Sequence, residues 1–314
     1  MNIVFFGTSE FSIPALKALI ASRHKVLALV TQPDRKKGRT LKLSPPPAKV
    51  IALAHDIPVF QAENTAGEES VKYLRSLKPD LFVVISFGQI LKKDVLKIPK
   101  LFALNVHGSL LPKYRGASPT NRAVMDGEKV TGVTVMRMNE SMDEGDILLV
   151  KESVIDDDDT NITVSETLAQ LGAKALIEAI CLIESNAAKF TPQDGKAATY
   201  APKLKKGDGL IDWNEPAEKI RNKVRGLLPW PGAYTDYEGK TLKILKVELF
   251  GRPAGSAAPG EVLDLLKNKG IIVQTGGGSI AIQNLQLEGG KEMDADAFVR
   301  GHRIPKGYRF SRKD

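Results

Sequence analysis

The feature that most constrains this chain is an alternation, through its first half, of short continuous apolar runs with segments of helical periodicity. The apolar runs are Asn2–Phe6, Val26–Val30, Pro58–Gln61, Leu81–Ser86, Phe102–Val106, Thr131–Met138 and Leu148–Ile155. A strand that is apolar along its whole length, rather than at every second residue, is buried on both faces. Strands of that kind joined by helices form a parallel sheet covered on each side. Helical patterns at Ile13–Ala21, Lys49–Ala54, Glu68–Leu77, Gln89–Leu96 and Pro119–Met125 supply the crossovers. A longer one, Val164–Ser185, follows, with Thr163 and Glu166 spaced as a capping box.

The pattern then changes. Residues 189–208 are polar and carry Pro192, Gly195, Pro202 and Gly207, which reads as a linker. One helical pattern, Glu215–Leu227, precedes five short β-rich runs: Ala233–Tyr237, Leu242–Phe250, Gly260–Leu265, Ile271–Thr275 and Ile280–Leu285. Closely spaced strands divided by Gly-rich turns predict a small β-barrel, with the OB fold the leading candidate. The organisation expected is an α/β domain with a predominantly parallel sheet over 1–188, a linker over 189–208 and an OB-like domain over 209–314.

Composition narrows the function classes. A single Cys in 314 residues excludes a disulfide framework and any Cys-rich metal site. No apolar run approaches the roughly 18–20 residues of a membrane span. The start, MNIVFFGTSEF, reads as a strand rather than a cleavable presequence. A soluble, cytoplasmic protein is therefore expected. The balance of 45 basic to 37 acidic residues leaves a net +8, which favours a polyanionic partner.

Four stretches carry chemistry. In FFGTSEF, Gly7 gives a tight turn after the first strand, and Thr8 or Ser9 either caps the next helix or helps hold a phosphate or sugar edge. The connection Thr31–Lys49 is far longer than usual for a sheet of this kind and carries Arg35, Lys36, Lys37, Arg39, Lys42 and Lys49 against Asp34 alone. Its glycine and the run Pro45–Pro47 predict irregular backbone, and its charge predicts phosphate contact. In LNVHGSLLPKYRG, Asn105 and His107 end an apolar strand two residues apart and project to one side of the sheet. Strand ends of open α/β sheets bind ligands, and both side chains can donate to an oxygen that gains charge. In SMDEGDILL, Asp143, Glu144 or Asp146 can supply a carboxylate to hold the proton of His107, or can simply stabilise a turn.

Other features read as structural. Asp156–Asp159 answer the dipole of the following helix, Cys181 lies on an apolar helix face, and Trp230 of PWPG is expected in the core. His24, His55 and His302 lack ligand spacing, and no metal site is expected.

At NVHGSLLPKYRG the chain resembles the folate-dependent formyltransferases, and the likeness runs end to end. It is carried by FFGTSEF, TQPDRKKGR, SFGQIL, LNVHGSLLPKYRGASPTNRA, TGVTVMRM, MDEGDILL, TYAPKL, IDWNEPAEKI, VRGLLPWPGAY and RGHRIPKG. NVHGSLLP with a later DxGD marks the chemistry across that superfamily. The QPDR-x-x-GR loop, together with the carboxy-terminal barrel, points to its tRNA-directed branch. The chain departs from the usual pattern at Ser9, Phe87, Lys92, Glu144 and Gly207-Asp208-Gly209.

The resemblance implies a Rossmann-like catalytic domain and an OB-like tRNA-binding domain. It implies transfer of a formyl group from 10-formyltetrahydrofolate, acting as co-substrate, to the methionine α-amine of initiator tRNA during translation initiation. Matched position by position, it makes Asn105, His107 and Asp143 catalytic. It assigns folate contact to Phe87, Gly88, Ile90, Leu91, Ser109, Leu110, Leu111 and Pro112. Thr8, Ser9 and Phe11 fall in the turn beside the substrate, and Arg39 enters the acceptor end of the tRNA, with Arg35, Lys36, Lys37 and Lys42 beside it. A monomer with no metal and no membrane partner is expected. The alternatives are transfer to a small amine, such as an amino sugar nucleotide or glycinamide ribonucleotide, and hydrolysis of the formyl folate. A non-enzymatic RNA-binding protein would leave Asn105, His107 and Asp143 unexplained.

Overall fold

Residues 2–7 and 81–85, two of the most uniformly apolar runs, lie side by side as parallel strands, and every residue of the second is buried. The computed structural model describes residues 1–37, 42–251 and 257–310, with Lys37 and Lys42 described in backbone only. In chain order the elements begin β1 (Asn2–Gly7), α1 (Ile13–Ile20), β2 (Lys25–Thr31), β3 (Arg35–Lys37), β4 (Lys42–Ser44), α2 (Pro47–Ala54) and β5 (Val59–Gln61). Next come α3 (Glu68–Ser76), β6 (Leu81–Ile85), α4 (Lys93–Leu96), β7 (Phe102–His107), α5 (Pro119–Met125), β8 (Val130–Arg137), β9 (Ile147–Val154) and α6 (Asn161–Glu184). The remainder is α7 (Ala217–Gly226), β10 (Ala233–Tyr237), β11 (Lys240–Phe250), β12 (Val262–Leu266), β13 (Gly270–Gln274), β14 (Ser279–Leu287), β15 (Met293–Asp294) and α8 (Ala295–Gly301).

The chain divides into two compact units. One comprises Met1–Pro119, Val130–Val154 and Ser165–Pro202. Its seven-stranded sheet has the order β5-β2-β1-β6-β7-β8-β9, parallel from β5 to β7, with β8 antiparallel to both its neighbours. The mostly parallel α/β sheet expected from the apolar runs is what forms. Part of its core is an aromatic cluster in which the Phe6 ring meets Phe82 at 4.9 Å and Phe87 at 5.4 Å, both edge-on.

Three local expectations are corrected. The long basic connection is not irregular throughout: β3 and β4 pair antiparallel within it, and α2 starts on Pro47, whose missing N–H costs nothing in a first turn. The helix expected from Gln89 begins only at Lys93; the Gln89 side-chain amide instead accepts the Thr65 N–H at 3.1 Å and donates to the Ala62 carbonyl at 2.7 Å. Helix α6 starts at Asn161, so Thr163 lies inside it. The reciprocal capping bonds join Thr160 and Thr163, at 3.0 and 3.4 Å, rather than Thr163 and Glu166.

The second unit comprises Thr120–Lys129, Ile155–Val164 and Lys203–Asp314. Its six-stranded antiparallel sheet has the order β10-β11-β14-β13-β12, with β15 added to β14. Ile220 and Val224 of α7 share a core with Ile244, Ile271, Ile282 and Leu285. The buried Trp213 indole stacks on Phe310 at 5.6 Å and donates Nε1–H to Thr235 Oγ1 at 3.1 Å. Trp230 is 55% exposed rather than in that core. The two inserted segments are gripped by α7. Arg225 donates to the Asp159 carbonyl at 2.9 Å, and Asn121 Nδ2 donates to the Gly226 carbonyl at 2.8 Å. Asp157 of the acidic run pairs with Lys129 at 2.6 Å, a role beyond the helix dipole. Cys181 faces outward, against the expectation of a core thiol. Among the described residues no helix is long and apolar enough to cross a membrane.

Candidate active site

Asn105 and His107 lie two residues apart on β7, so their side chains leave the same face of the sheet. Val84 pairs with Asn105, so the ends of β6 and β7 are level and the segments after them leave the sheet side by side. Thr8, just past β1, donates Oγ1–H to the Phe87 carbonyl at 2.9 Å, and Ser9 donates to Ser86 Oγ at 2.7 Å. From β1 the chain runs outward to β2 and β5 and then returns to β6 on the other flank of β1. That reversal of strand order opens the crevice in which open α/β sheets take ligands.

Asp143 arrives from the opposite direction. Arg137, the last residue of β8, is level with Leu104 near the start of β7. Asp143 must therefore come back by about three residues of strand rise, ~10 Å, to reach His107. Two backbone features allow the fold-back. Asp143 takes a left-handed conformation (φ 55°), and a Cβ on Gly145 would land on the Arg137 carbonyl oxygen. The Asp143 Oδ2 atom accepts the Gly116 N–H at 2.8 Å and stands 3.7 Å from His107 Nδ1. The two neighbouring acids face elsewhere: Glu144 pairs with Arg115 at 2.8 Å, and Asp146 pairs with Arg137.

His107 is buried, with Nε2 3.0 Å from the Tyr114 carbonyl oxygen. A carbonyl only accepts, so Nε2 carries a hydrogen and Nδ1 is the ring atom left for proton exchange. At 3.7 Å from the carboxylate, Nδ1 is beyond direct hydrogen-bond distance. Beside it, Asn105 Oδ1 is buried and takes no hydrogen bond. Buried polar atoms are normally satisfied within the protein, so an unspent amide oxygen here is able to accept from a ligand or a water.

The turn after β7 is closed by its own hydrogen bonds. Ser109 donates Oγ–H to the Lys113 carbonyl at 2.7 Å, and Thr134 Oγ1 donates to the Ser109 carbonyl at 2.7 Å while accepting the Leu111 N–H at 3.1 Å. The Leu111–Pro112 peptide is cis. Ser109 and Leu111 are buried, Leu110 and Pro112 half-buried. Of the partner segment, Phe87 and Leu91 are spent in the core, whereas Gly88 and Ile90 are exposed. The surface left accessible in these two segments therefore belongs to Gly88, Ile90, Leu110 and Pro112. Thr8, Ser9 and Phe11 are half-buried at the first turn.

In the basic connection, Arg35 and Lys36 are exposed. Lys49 is not free: its Nζ donates to Asp34 at 2.8 Å and to Gln61 Oε1 at 2.8 Å. These bonds, first from Lys49 and then from Gln61, hold the Asp34 carboxyl below the usual carboxylate range. Arg39 lies outside the described residues. Among the described residues no cluster of His, Cys, Asp or Glu is placed to hold a metal ion.

Sequence reasoning missed Gln193 and the support given by Arg115. Arg115 stood inside a motif already singled out, but Gln193 sits in a stretch that reads only as linker. Residues 199–201 run beside the loop after β7: Tyr114 N–H donates to Thr199 Oγ1 at 2.9 Å, and Ala201 N–H to the Arg115 carbonyl at 2.7 Å.

Comparison with known proteins places the chain in a family. The "Formyl transferase" family model matches residues 1–180, and "Formyl transferase, C-terminal domain" matches residues 203–303. The methionyl-tRNA formyltransferase of Citrifermentans bemidjiense is 46% identical over 314 residues, covering 100% of this chain and 98% of that protein. Among solved structures, the N-formyltransferase of Helicobacter canadensis, in complex with folinic acid and dTDP-3-aminofucose, matches with a TM-score of 0.68 at 18% identity, over 90% of this chain and 98% of that one. HypX of Aquifex aeolicus in complex with tetrahydrofolic acid matches with a TM-score of 0.64 at 18% identity, and this chain spans only 51% of its length. At such identities the structures speak for the fold alone. The two family models and a near-half-identical relative matched end to end establish that this chain belongs to the formyl transferases, in the family of the methionyl-tRNA formyltransferases.

Proposed function

We propose that this chain transfers the formyl group of 10-formyltetrahydrofolate to the α-amine of methionyl initiator tRNA, with Asn105, His107 and Asp143 as the reacting constellation. The observation that carries the reading is the unspent polar surface at one strand end: a buried Asn105 Oδ1 without a partner beside a His107 Nδ1 facing a carboxylate. Gly88, Ile90, Leu110 and Pro112 form the exposed or half-buried surface for the folate. Arg35, Lys36, Lys37, Arg39 and Lys42 contact the tRNA acceptor end, and the β-rich carboxy-terminal domain grips the remainder of the tRNA.

The neutral amine nitrogen attacks the formyl carbon, and the carbonyl electron pair becomes an oxyanion. A proton on His107 Nδ1 and the Asn105 amide N–H stabilise that oxygen, while Asn105 Oδ1 accepts an N–H of the attacking amine. One donor at such a position is worth ~3–4 kcal/mol of barrier. Asp143 accepts the proton lost by the amine through a water, because Nδ1 of the ring already carries its own. Collapse of the intermediate re-forms the carbonyl and breaks the bond to the folate nitrogen, which leaves protonated by the proton that Asp143 took from the amine. The donor carries its own activated carbonyl, so the protein's residues contribute orientation and proton handling.

The test offers labelled 10-formyltetrahydrofolate with methionyl-tRNA, uncharged tRNA, small amines and water in parallel. Transfer to the charged tRNA alone is expected. Equal transfer to a small amine, or release of free formate at the same rate, overturns the acceptor assignment.

A further inference from the structure

We propose that Gln193, oriented by Arg115, is a positioning residue that holds the fold-back of the 143–145 segment and so keeps the Asp143 carboxylate against His107. The inference rests on the catalytic reading of Asp143 above.

The connection carrying Asp143 is not a tight hairpin. It leaves β8 level with the start of β7 and must return along the strand, with a left-handed residue at the very position that bears the carboxylate. A non-glycine residue in that region is strained and persists only when its surroundings fix it. The fixing group is one side-chain amide. Gln193 Nε2 donates to the carbonyl of Asp143 at 2.9 Å and to the carbonyl of Gly145 at 2.8 Å, thereby tying down both sides of Glu144. Its Oε1 accepts from Arg115 twice, from Nε at 3.2 Å and from Nη2 at 2.9 Å.

The amide has only one chemically sensible orientation. A guanidinium has only donors and two carbonyls have only acceptors, so the oxygen must face Arg115 and the amino group must face the turn. Arg115 is 5% exposed, and its remaining Nη1 is committed to Glu144 Oε1 at 2.8 Å. The same guanidinium therefore anchors the amide and the side chain between the two clamped carbonyls. Next along the chain, Gly116 N–H binds Asp143 Oδ2, and the preceding Tyr114 carbonyl takes His107 Nε2–H. Residues 114–116 thus set the histidine and the carboxylate from one side, and Gln193 sets the carboxylate's backbone from the other. A short polar stretch that reads as linker contributes the group that completes the site.

Gln193→Glu separates positioning from packing. It keeps an acceptor for Arg115 but cannot donate to the two carbonyls. Gln193→Met, of similar shape and uncharged, removes both interactions. For each variant, kcat at saturating substrates is expected to fall by about 10- to 100-fold, the range expected for misplacement near 1 Å. Both KM values should stay within about twofold, because no substrate contact is removed. In an Asp143→Asn background, Gln193→Glu should cost less than about threefold more, since it acts through a carboxylate already neutralised. A Gln193→Glu kcat within about threefold of the parent, or the same fold loss with and without Asp143→Asn, overturns the proposal. If Asp143→Asn alone leaves kcat unchanged, the catalytic reading of Asp143 falls and this inference falls with it. If Asp143→Asn is impaired while both Gln193 variants are not, only the inference fails.

Discussion

His107 Nδ1 and Asp143 Oδ2 face each other across 3.7 Å, with the far side of the ring hydrogen-bonded to the Tyr114 carbonyl. The ring is thus hydrogen-bonded at one nitrogen and not at the other. The second nitrogen faces a carboxylate without being hydrogen-bonded to it, an arrangement suited to keeping a proton on the ring for an oxygen that gains charge.

Removing either polar group beside that gap should act on turnover. His107→Ala and Asn105→Ala are each expected to lower kcat by about 100- to 1000-fold. Single-turnover rates with saturating folate and methionyl-tRNA measure this directly. Losses below about threefold would show that these groups do not touch the reacting atoms.

The basic connection gives a separable effect. Arg39→Ala should raise KM for the tRNA and leave folate binding intact, and it should flatten the salt dependence of tRNA binding by roughly one unit of slope. Lys49→Ala should leave that slope unchanged, because its charge already belongs to Asp34. Equal salt slopes for the parent and the Arg39 variant would remove the arginine from the interface.

A pH effect on stability is expected away from the site. Burial holds the His24 imidazole below its ordinary 6.5, and the Glu184 carboxylate at 3.5 Å offsets this only in part. The unfolded chain therefore takes up this proton at a higher pH than the folded one does. Stability falls as pH drops below 6.5 and levels off once the folded ring is also protonated. Melting curves between pH 7.5 and 5 should show a steeper loss for the parent than for His24→Asn. Parallel curves would dismiss the linkage.

In the second unit, Trp213 joins the core to β10 through its stacking on Phe310 and its bond to Thr235. Trp213→Ala should cost ~3–5 kcal/mol of stability. Trp230→Ala, at an exposed position, should cost less than about 0.5 kcal/mol. Denaturant titrations of the two variants compare them, and a Trp230 loss as large as that of Trp213 would contradict a core that holds Trp213 and leaves Trp230 exposed.

By itself, the sequence determined what depends on neighbours along the chain. Uninterrupted apolar runs specify strands buried on both faces, because each residue's burial is written in its own side chain. Asn105 and His107 were legible because two residues on one strand share a face whatever else surrounds them. Three acids of equal spacing merit were readable in SMDEGDILL, but the residues alone did not choose among them. The tertiary structure chose by occupying Glu144 with Arg115 and Asp146 with Arg137, leaving Asp143 to face the histidine. It also spent Lys49 on Asp34, put Trp230 rather than Trp213 at the surface, and drew Gln193 out of a featureless stretch to hold the turn. These outcomes share one physical reason. A hydrogen bond or ion pair between residues tens of positions apart depends on where the folded backbone brings them, and no local periodicity or propensity encodes that distance.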